Sequence, residues 1–175
     1  MNKNIYRELK TASKKLVSFT EDDRKKTLVA IADVLIDREK EILDENTKDL
    51  EAAKKNNLSP VIIDRLLLDK KRIHAMSTGC REIAHQKAVL GYEEGVLKRQ
   101  SGIEVRQQRI PLGMLAMVFE SRPNVIIDAI ALAIKSGNGM ILKGGKEAHH
   151  SNMYLFRLAS QVFESEFQCR VFHYI

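Results

Sequence analysis

Apolar residues recur at three-and-four spacing through the first half of the chain: Ile5, Leu9, Ala12 and Leu16, then Leu28, Ile31, Ala32, Leu35 and Ile36. That period predicts consecutive amphipathic helices over residues 3 to about 90. Cap chemistry agrees. Thr20 with Asp23 reads as a capping box, Ser59 before Pro60 sets a cap beside an N1 proline, and Asp69 opens the helix that carries Ile73, Met76, Cys80 and Ile83. The polar stretch Lys54 to Asn57 reads as a helix end. No internal repeat and no low-complexity tract interrupts the pattern.

From Gly91 the pattern changes to short alternating runs. Val96 to Gln100 and Ile103 to Gln107 read as strands joined by Ser101-Gly102, which predicts a hairpin with a two-residue turn. Pro111-Leu112-Gly113 separates that ribbon from an apolar strand, Leu112 to Phe119. A helix through Val125, Ile126 and Ile127 follows, then a second apolar strand (Met140, Ile141, Leu142), a Gly144-Gly145 turn and another helix from near Glu147. Right-handed crossover makes the two strands parallel. The expected fold is α/β: a helical N-terminal lead (1–90), a β-hairpin (91–111) and a partial Rossmann-like parallel sheet (112–175).

Ligands of such sheets bind beyond the carboxyl ends of the strands, so the loops Glu120 to Asn124 and Lys143 to Lys146 are expected to face one crevice. Lys143 ends an apolar strand and is positioned to reach ribose or phosphate oxygens. Gly144 and Gly145 beside it are expected to turn at positive φ and to let a ligand approach the backbone. A plain strand-to-helix turn with two surface lysines is the competing account of Lys-Gly-Gly-Lys. In the other loop, Glu120, Ser121, Arg122 and Asn124 crowd polar groups around Pro123, a candidate helix N1 residue. Here the competing account is capping by Ser121 or Arg122, with Glu120 paired to a neighbouring cation. Neither the G-x-G-x-x-G nor the Walker phosphate fingerprint occurs.

Composition narrows the function classes. The 175 residues are 44% hydrophobic and 30% charged, with 29 basic against 23 acidic residues and a net charge of +6. That describes a globular protein with a mild preference for anions. Lys98, Arg99, Arg106 and Arg109 make the hairpin basic, but Glu93, Glu94 and Glu104 interrupt them and no aromatic residue lies in its strands. A solvated or subunit-contacting ribbon fits better than a nucleic-acid arm. Cys80 falls on an apolar helix stripe, and Cys169, beside Arg170, has no placed base. His149 and His150 point in different directions on one helix, and His74 and His85 are not spaced like metal ligands, so no metal is expected. The two thiols make no disulfide framework and suit a reducing cytoplasm. MNKNIYRELK lacks an apolar leader core, and no apolar run is long enough to cross a bilayer.

The segment MVFESRPNVIIDAIALAIKSGNGMILKGGKEA, residues 117–148, resembles the signature region of the gamma-glutamyl phosphate reductase (glutamate-5-semialdehyde dehydrogenase) family of the aldehyde dehydrogenase superfamily. The resemblance runs from about residue 5 to residue 160. It includes the stretch Leu43 to Ala52 (LDEN-x-x-DL-x-x-A), the hairpin and RIPLG, but not the tail after Gln161. It implies an aldehyde dehydrogenase cofactor domain, NADP (NADPH) as cofactor, and reduction of L-glutamyl 5-phosphate to L-glutamate 5-semialdehyde in proline biosynthesis. Lys143 matches the family's strand-end lysine at the adenosine ribose or its phosphate. Ser121, Arg122, Pro123 and Asn124 match a signature loop near cofactor and substrate, Asn124 on the substrate side. The family's nucleophilic cysteine belongs to a downstream catalytic domain, and neither Cys80 nor Cys169 sits in its motif. The expectation is therefore a truncated member, inactive alone, with a homo-oligomer contact through the hairpin at 96–107. A non-catalytic NADP-binding or partner-binding module is the alternative.

Overall fold

The computed structural model describes residues 3–91 and 93–175, without the side chains of Lys3 and Glu94. The expectations placed on the Glu94 carboxylate, and on Tyr92 within the 91–111 segment, lie outside the described residues. The helical half comprises α1 (Lys3–Ser13), a 3-10 turn (Lys14–Ser18), α2 (Glu21–Asp37), α3 (Glu39–Lys55), α4 (Pro60–Leu66) and α5 (Lys70–His85). The hairpin is β1 (Glu93–Lys98) and β2 (Glu104–Gln108). After it come β3 (Met114–Val118), α6 (Asn124–Lys135), β4 (Gly139–Lys143), a 3-10 turn (Lys146–Ala148), α7 (His149–Phe167) and β5 (Phe172–Tyr174).

Local chemistry sets most of these boundaries. The capping box is formed: the Thr20 hydroxyl accepts from the Asp23 N–H at 3.1 Å, and the Asp23 carboxylate accepts from the Thr20 N–H at 2.8 Å. Asp69 caps α5 by accepting from the Arg72 N–H at 2.7 Å. Ser59 makes no side-chain cap bond, and Pro60 alone marks the start of α4.

β3, β4 and β5 form one parallel sheet in that order, with Val118 beside Lys143 and Leu142 beside Tyr174. The carboxyl ends of all three strands therefore meet at one edge. The third strand comes from the tail that the sequence left unassigned. Residues 161–167 continue α7, Gln168 turns the chain at φ 49°, and Phe172 packs edge-on to Phe163 with ring centroids 5.0 Å apart. Helix α6 carries Ile126, Ile127, Ile130 and Ile134, all buried, and touches α2, α5, α7 and β4. Each such aliphatic side chain contributes about 1.5–3 kcal/mol by leaving water, so α6 is fixed by packing on nearly every side.

Buried polar groups lock the start of α7. Ile42, Asn46, Asp49 and Ala53 form the buried stripe of α3. The Asp49 carboxylate accepts from the His150 N–H at 3.0 Å, the Ser151 N–H at 2.8 Å and the Ser151 hydroxyl at 2.7 Å. Helix α7 has no side-chain cap from its own flanking residue Ala148, so Asp49 satisfies its first free N–H groups from another helix. Asn46 donates to the Leu66 carbonyl at 2.8 Å and the Ser151 hydroxyl at 2.9 Å, and accepts from the Leu68 N–H at 2.8 Å. The stretch after β4 is thereby held against α3 and the α4–α5 corner.

The hairpin turn differs from expectation. Lys98 faces Glu104, the Arg99 N–H donates to the Ile103 carbonyl at 2.9 Å, and Gly102 sits at φ 82°. The loop is the three residues Gln100–Gly102, closed by the Gly102 N–H donating to the Arg99 carbonyl at 3.0 Å and by a left-handed glycine, rather than Ser101-Gly102 alone. Val96, Leu97, Ile103 and Val105 are all exposed.

Candidate functional site

The two polar loops come together at the carboxyl edge of the sheet. Past the strands, the Phe119 N–H donates to the Lys143 carbonyl at 3.0 Å, and the Ser121 hydroxyl donates to the Glu147 carboxylate at 2.7 Å. Lys143 is exposed at the end of β4 and forms no ion pair with a described residue. Lys146 is exposed two residues beyond the Gly-Gly pair.

Gly144 and Gly145 correct one expectation: neither is at positive φ, and Gly145 is extended at φ −62°, ψ 143°. Their lack of a side chain serves the close approach of the protein's own groups. A Cβ at Gly145 would overlap the Ser121 hydroxyl and lie 2.8 Å from the Glu147 carboxylate; one at Gly144 would overlap the Asn152 amide and lie 2.9 Å from the Tyr174 hydroxyl. Glycine here lets β3, β4 and β5 end side by side.

The capping account of the first loop does not hold. Ser121 is committed to Glu147, and α6 begins at Asn124 with Pro123 as its cap, without a side-chain cap bond. Pro123 is itself in helical conformation, φ −60°, ψ −33°, at the entrance of α6, where the Val125 N–H donates to the Arg122 carbonyl at 3.2 Å, as a proline at the first helical position allows. Glu120 does pair with a cation, Arg65 on α4, at 2.7 Å across an exposed surface.

Arg122 and Asn124 turn to a different surface from Ser121. They line a cavity of about 450 Å3 with Asp64, Arg65, Arg72, Met76 and Asp128, and Lys143, Gly144 and Gly145 do not reach it. Asn124 donates to the Asp128 carboxylate at 3.1 Å, one turn along α6. The loop thus borders two surfaces, one toward the strand ends and one toward the α4–α5 corner.

Electrostatics follows from these contacts. The Ser121 hydroxyl, more than the local backbone, holds the Glu147 carboxyl below its usual range. A depressed carboxylate pKa adds stability above the unfolded value, and that stability is lost as pH falls through the folded one. Ser121→Ala is expected to move the Glu147 midpoint upward, read by carboxyl-carbon NMR titration; an unchanged midpoint would remove Ser121 as its holder. Asp128 is exposed as a residue, but its carboxyl lies in the cavity wall and lost hydration raises it. Burial pushes the Cys80 thiol up to about 12 and also raises Cys169. Neither is poised as a thiolate.

Sequence reasoning missed Glu147, Asp128, Asn152, Tyr174, Arg65 and Arg72 as neighbours of the loops. Glu147 alone carried a local signal, an acid next to the Lys-Gly-Gly-Lys turn. The others arrive through contacts distant in sequence. Among the described residues no three His, Cys, Asp or Glu side chains are grouped as metal ligands, and no helix is long and apolar enough to cross a membrane.

No protein-family model matches the chain. It is 43% identical over 163 residues to the gamma-glutamyl phosphate reductase of Carboxydothermus hydrogenoformans, a match covering 93% of this chain and 39% of the relative. The crystal structure of gamma-glutamyl phosphate reductase from Thermotoga maritima aligns with a TM-score of 0.90 at 30% identity, over 97% of this chain and 41% of that one. An NAD-dependent benzaldehyde dehydrogenase from Corynebacterium glutamicum aligns with a TM-score of 0.73 at 18% identity, over 97% of this chain and 34% of that one, a likeness of fold. The resemblance read from the sequence therefore holds, and so does the aldehyde dehydrogenase architecture of helical lead, hairpin and parallel sheet; its extent is corrected, because an alignment over 97% of the chain carries the likeness into the tail after Gln161. The chain spans about two fifths of the length of the curated relative it matches.

Proposed function

We propose that this chain is the cofactor-binding part of a gamma-glutamyl phosphate reductase, acting in the cytoplasm in NADPH-dependent conversion of L-glutamyl 5-phosphate to L-glutamate 5-semialdehyde for proline biosynthesis. The observation that carries the reading is the junction of the two loops, Ser121 on Glu147, over the carboxyl ends of parallel strands. That edge is where open α/β sheets bind nucleotides. The groups at this edge fit a dinucleotide phosphate or ribose: an exposed ammonium at Lys143 without an ion-pair partner among the described residues, a second at Lys146, and the Ser121 oxygen, whose proton goes to Glu147, as an acceptor for a ribose hydroxyl. NADPH when bound supplies the hydride. The residues proposed to hold it are Lys143, Gly144 and Gly145 with Glu120, Ser121 and Pro123 of the first loop, whereas Arg122 and Asn124, which line the separate cavity, lie on the substrate side. The exposed apolar hairpin, Val96, Leu97 and Val105, supports a homo-oligomer contact.

The family's covalent step needs a reactive thiolate, and both cysteines of these 175 residues are buried with raised pKa values. This favours a second reading of the isolated chain, a module that binds NADPH or a partner without turnover. Fluorescence titration is expected to detect NADPH binding and to find it about 10- to 100-fold weaker for Lys143→Ala, since a charge-assisted contact is worth about 1.5–3 kcal/mol. Equal affinity of both proteins removes Lys143 from the site. Phosphate-dependent oxidation of glutamate semialdehyde with NADP by the same protein would overturn the module reading.

A further inference from the structure

The cavity between the α4–α5 corner and the start of α6 carries two kinds of charge. Arg72 is held by Asp64 at 3.0 Å, and Arg65 is drawn to Glu120 at 2.7 Å, so these charges are already answered. Two of opposite sign are left over. Arg122 forms no ion pair or side-chain hydrogen bond among the described residues, and Asp128 has only the neutral Asn124 amide, at 3.1 Å. Arg122 and Asp128 do not pair with each other, although both line the cavity. Leu67, Leu68, Ala75 and Met76 complete the wall with apolar surface.

A simple anion would gain from Arg122 and be repelled by Asp128; a simple cation would meet the reverse. A ligand that carries an ammonium and a carboxylate on one carbon, with an aliphatic stem, answers both charges and the apolar wall together. We infer that this cavity receives the α-amino acid head of the substrate, its carboxylate on Arg122 and its ammonium on Asp128, with the glutamyl stem along Leu67 and Met76. This rests on the reading of the chain as part of a gamma-glutamyl phosphate reductase and adds to it the residues that select an amino acid. A cation beside Asp128 also opposes the burial that raises its carboxyl.

The probe is L-glutamate 5-methyl ester, which keeps the zwitterionic head and has a neutral side-chain end, followed by amide NMR shifts on the 175-residue protein. Saturable shifts are expected in residues 64–76 and 122–128, with at least tenfold weaker binding to Arg122→Gln and to Asp128→Asn. Both side chains lie at a solvent-exposed rim, so these neutral replacements leave the core intact. The N-acetyl derivative of the ester, which has no ammonium, is expected to bind at least tenfold more weakly. Absence of saturable binding by the ester, equal binding of the N-acetyl derivative, or displacement by inorganic phosphate at matched concentration would each overturn the inference. NADPH is titrated in parallel. NADPH binding without an ester response sinks the cavity assignment alone, whereas an ester response without NADPH binding sinks the cofactor reading instead.

Discussion

Asp49→Ala is expected to cost about 3 kcal/mol, because it strands buried N–H groups at the start of α7. For a chain of this size that lowers the thermal midpoint by roughly 6–12 °C. Asp49 is 2% exposed, and its three acceptor contacts all go to His150 and Ser151. With alanine, the His150 and Ser151 amides lose their partner, and the Ser151 hydroxyl keeps only the Asn46 amide. Thermal unfolding followed by circular dichroism measures the loss. Asp49→Asn retains one acceptor and should lose less. A midpoint for Asp49→Ala within a degree or two of the parent would mean that water replaces the carboxylate, and that α7 does not depend on α3 for its cap.

The same contact explains why part of the fold was legible in the sequence and part was not. Thr20–Asp23 and Asp69–Arg72 are satisfied within one turn, so residue type and spacing predict them. Asp49 and Ser151 are 102 positions apart. Their one local trace is that Asn46 and Asp49 stand on the buried stripe of α3 between Ile42 and Ala53, where a polar side chain requires a partner. The tail was opaque for a similar reason. Phe172–Tyr174 is too short to read as a strand by period, and it becomes one by pairing with β4 and burying Phe172 against Phe163.

The candidate site divides along the same line. That both loops meet follows from topology alone, because parallel strands joined by right-handed crossovers put their carboxyl ends on one edge. Which side chains face each other there does not follow. Ser121 reaches Glu147, Glu120 reaches Arg65, and Arg122 turns to a cavity built by α4 and α5. A five-residue loop places neighbouring side chains on opposite sides, so polar crowding in sequence did not amount to one cluster in space.

Gly144→Ala separates two reasons for a glycine at the strand end. If the missing Cβ serves ligand approach, the variant keeps its stability and loses NADPH affinity. If it serves internal packing, the order reverses, and the geometry favours packing. The added methyl would overlap the Asn152 amide and stand 2.9 Å from the Tyr174 hydroxyl and 3.0 Å from the Phe119 ring. Asn152 is fully buried, donates to Tyr174 at 3.1 Å and has an unsatisfied Oδ1, so it has no solvent into which to retreat. Gly144 is not at positive φ, and alanine adds no backbone strain. The expected cost is about 1–3 kcal/mol of overpacking, concentrated where Tyr174 holds β5 beside β4. Faster hydrogen exchange at Ile175, whose N–H donates to the Leu142 carbonyl at 2.9 Å, reports that loosening. Adding Asn152→Ala removes the colliding amide, so the double variant should be more stable than the sum of the two single losses predicts. Strict additivity, or unchanged exchange at Ile175, would return the glycine to the ligand.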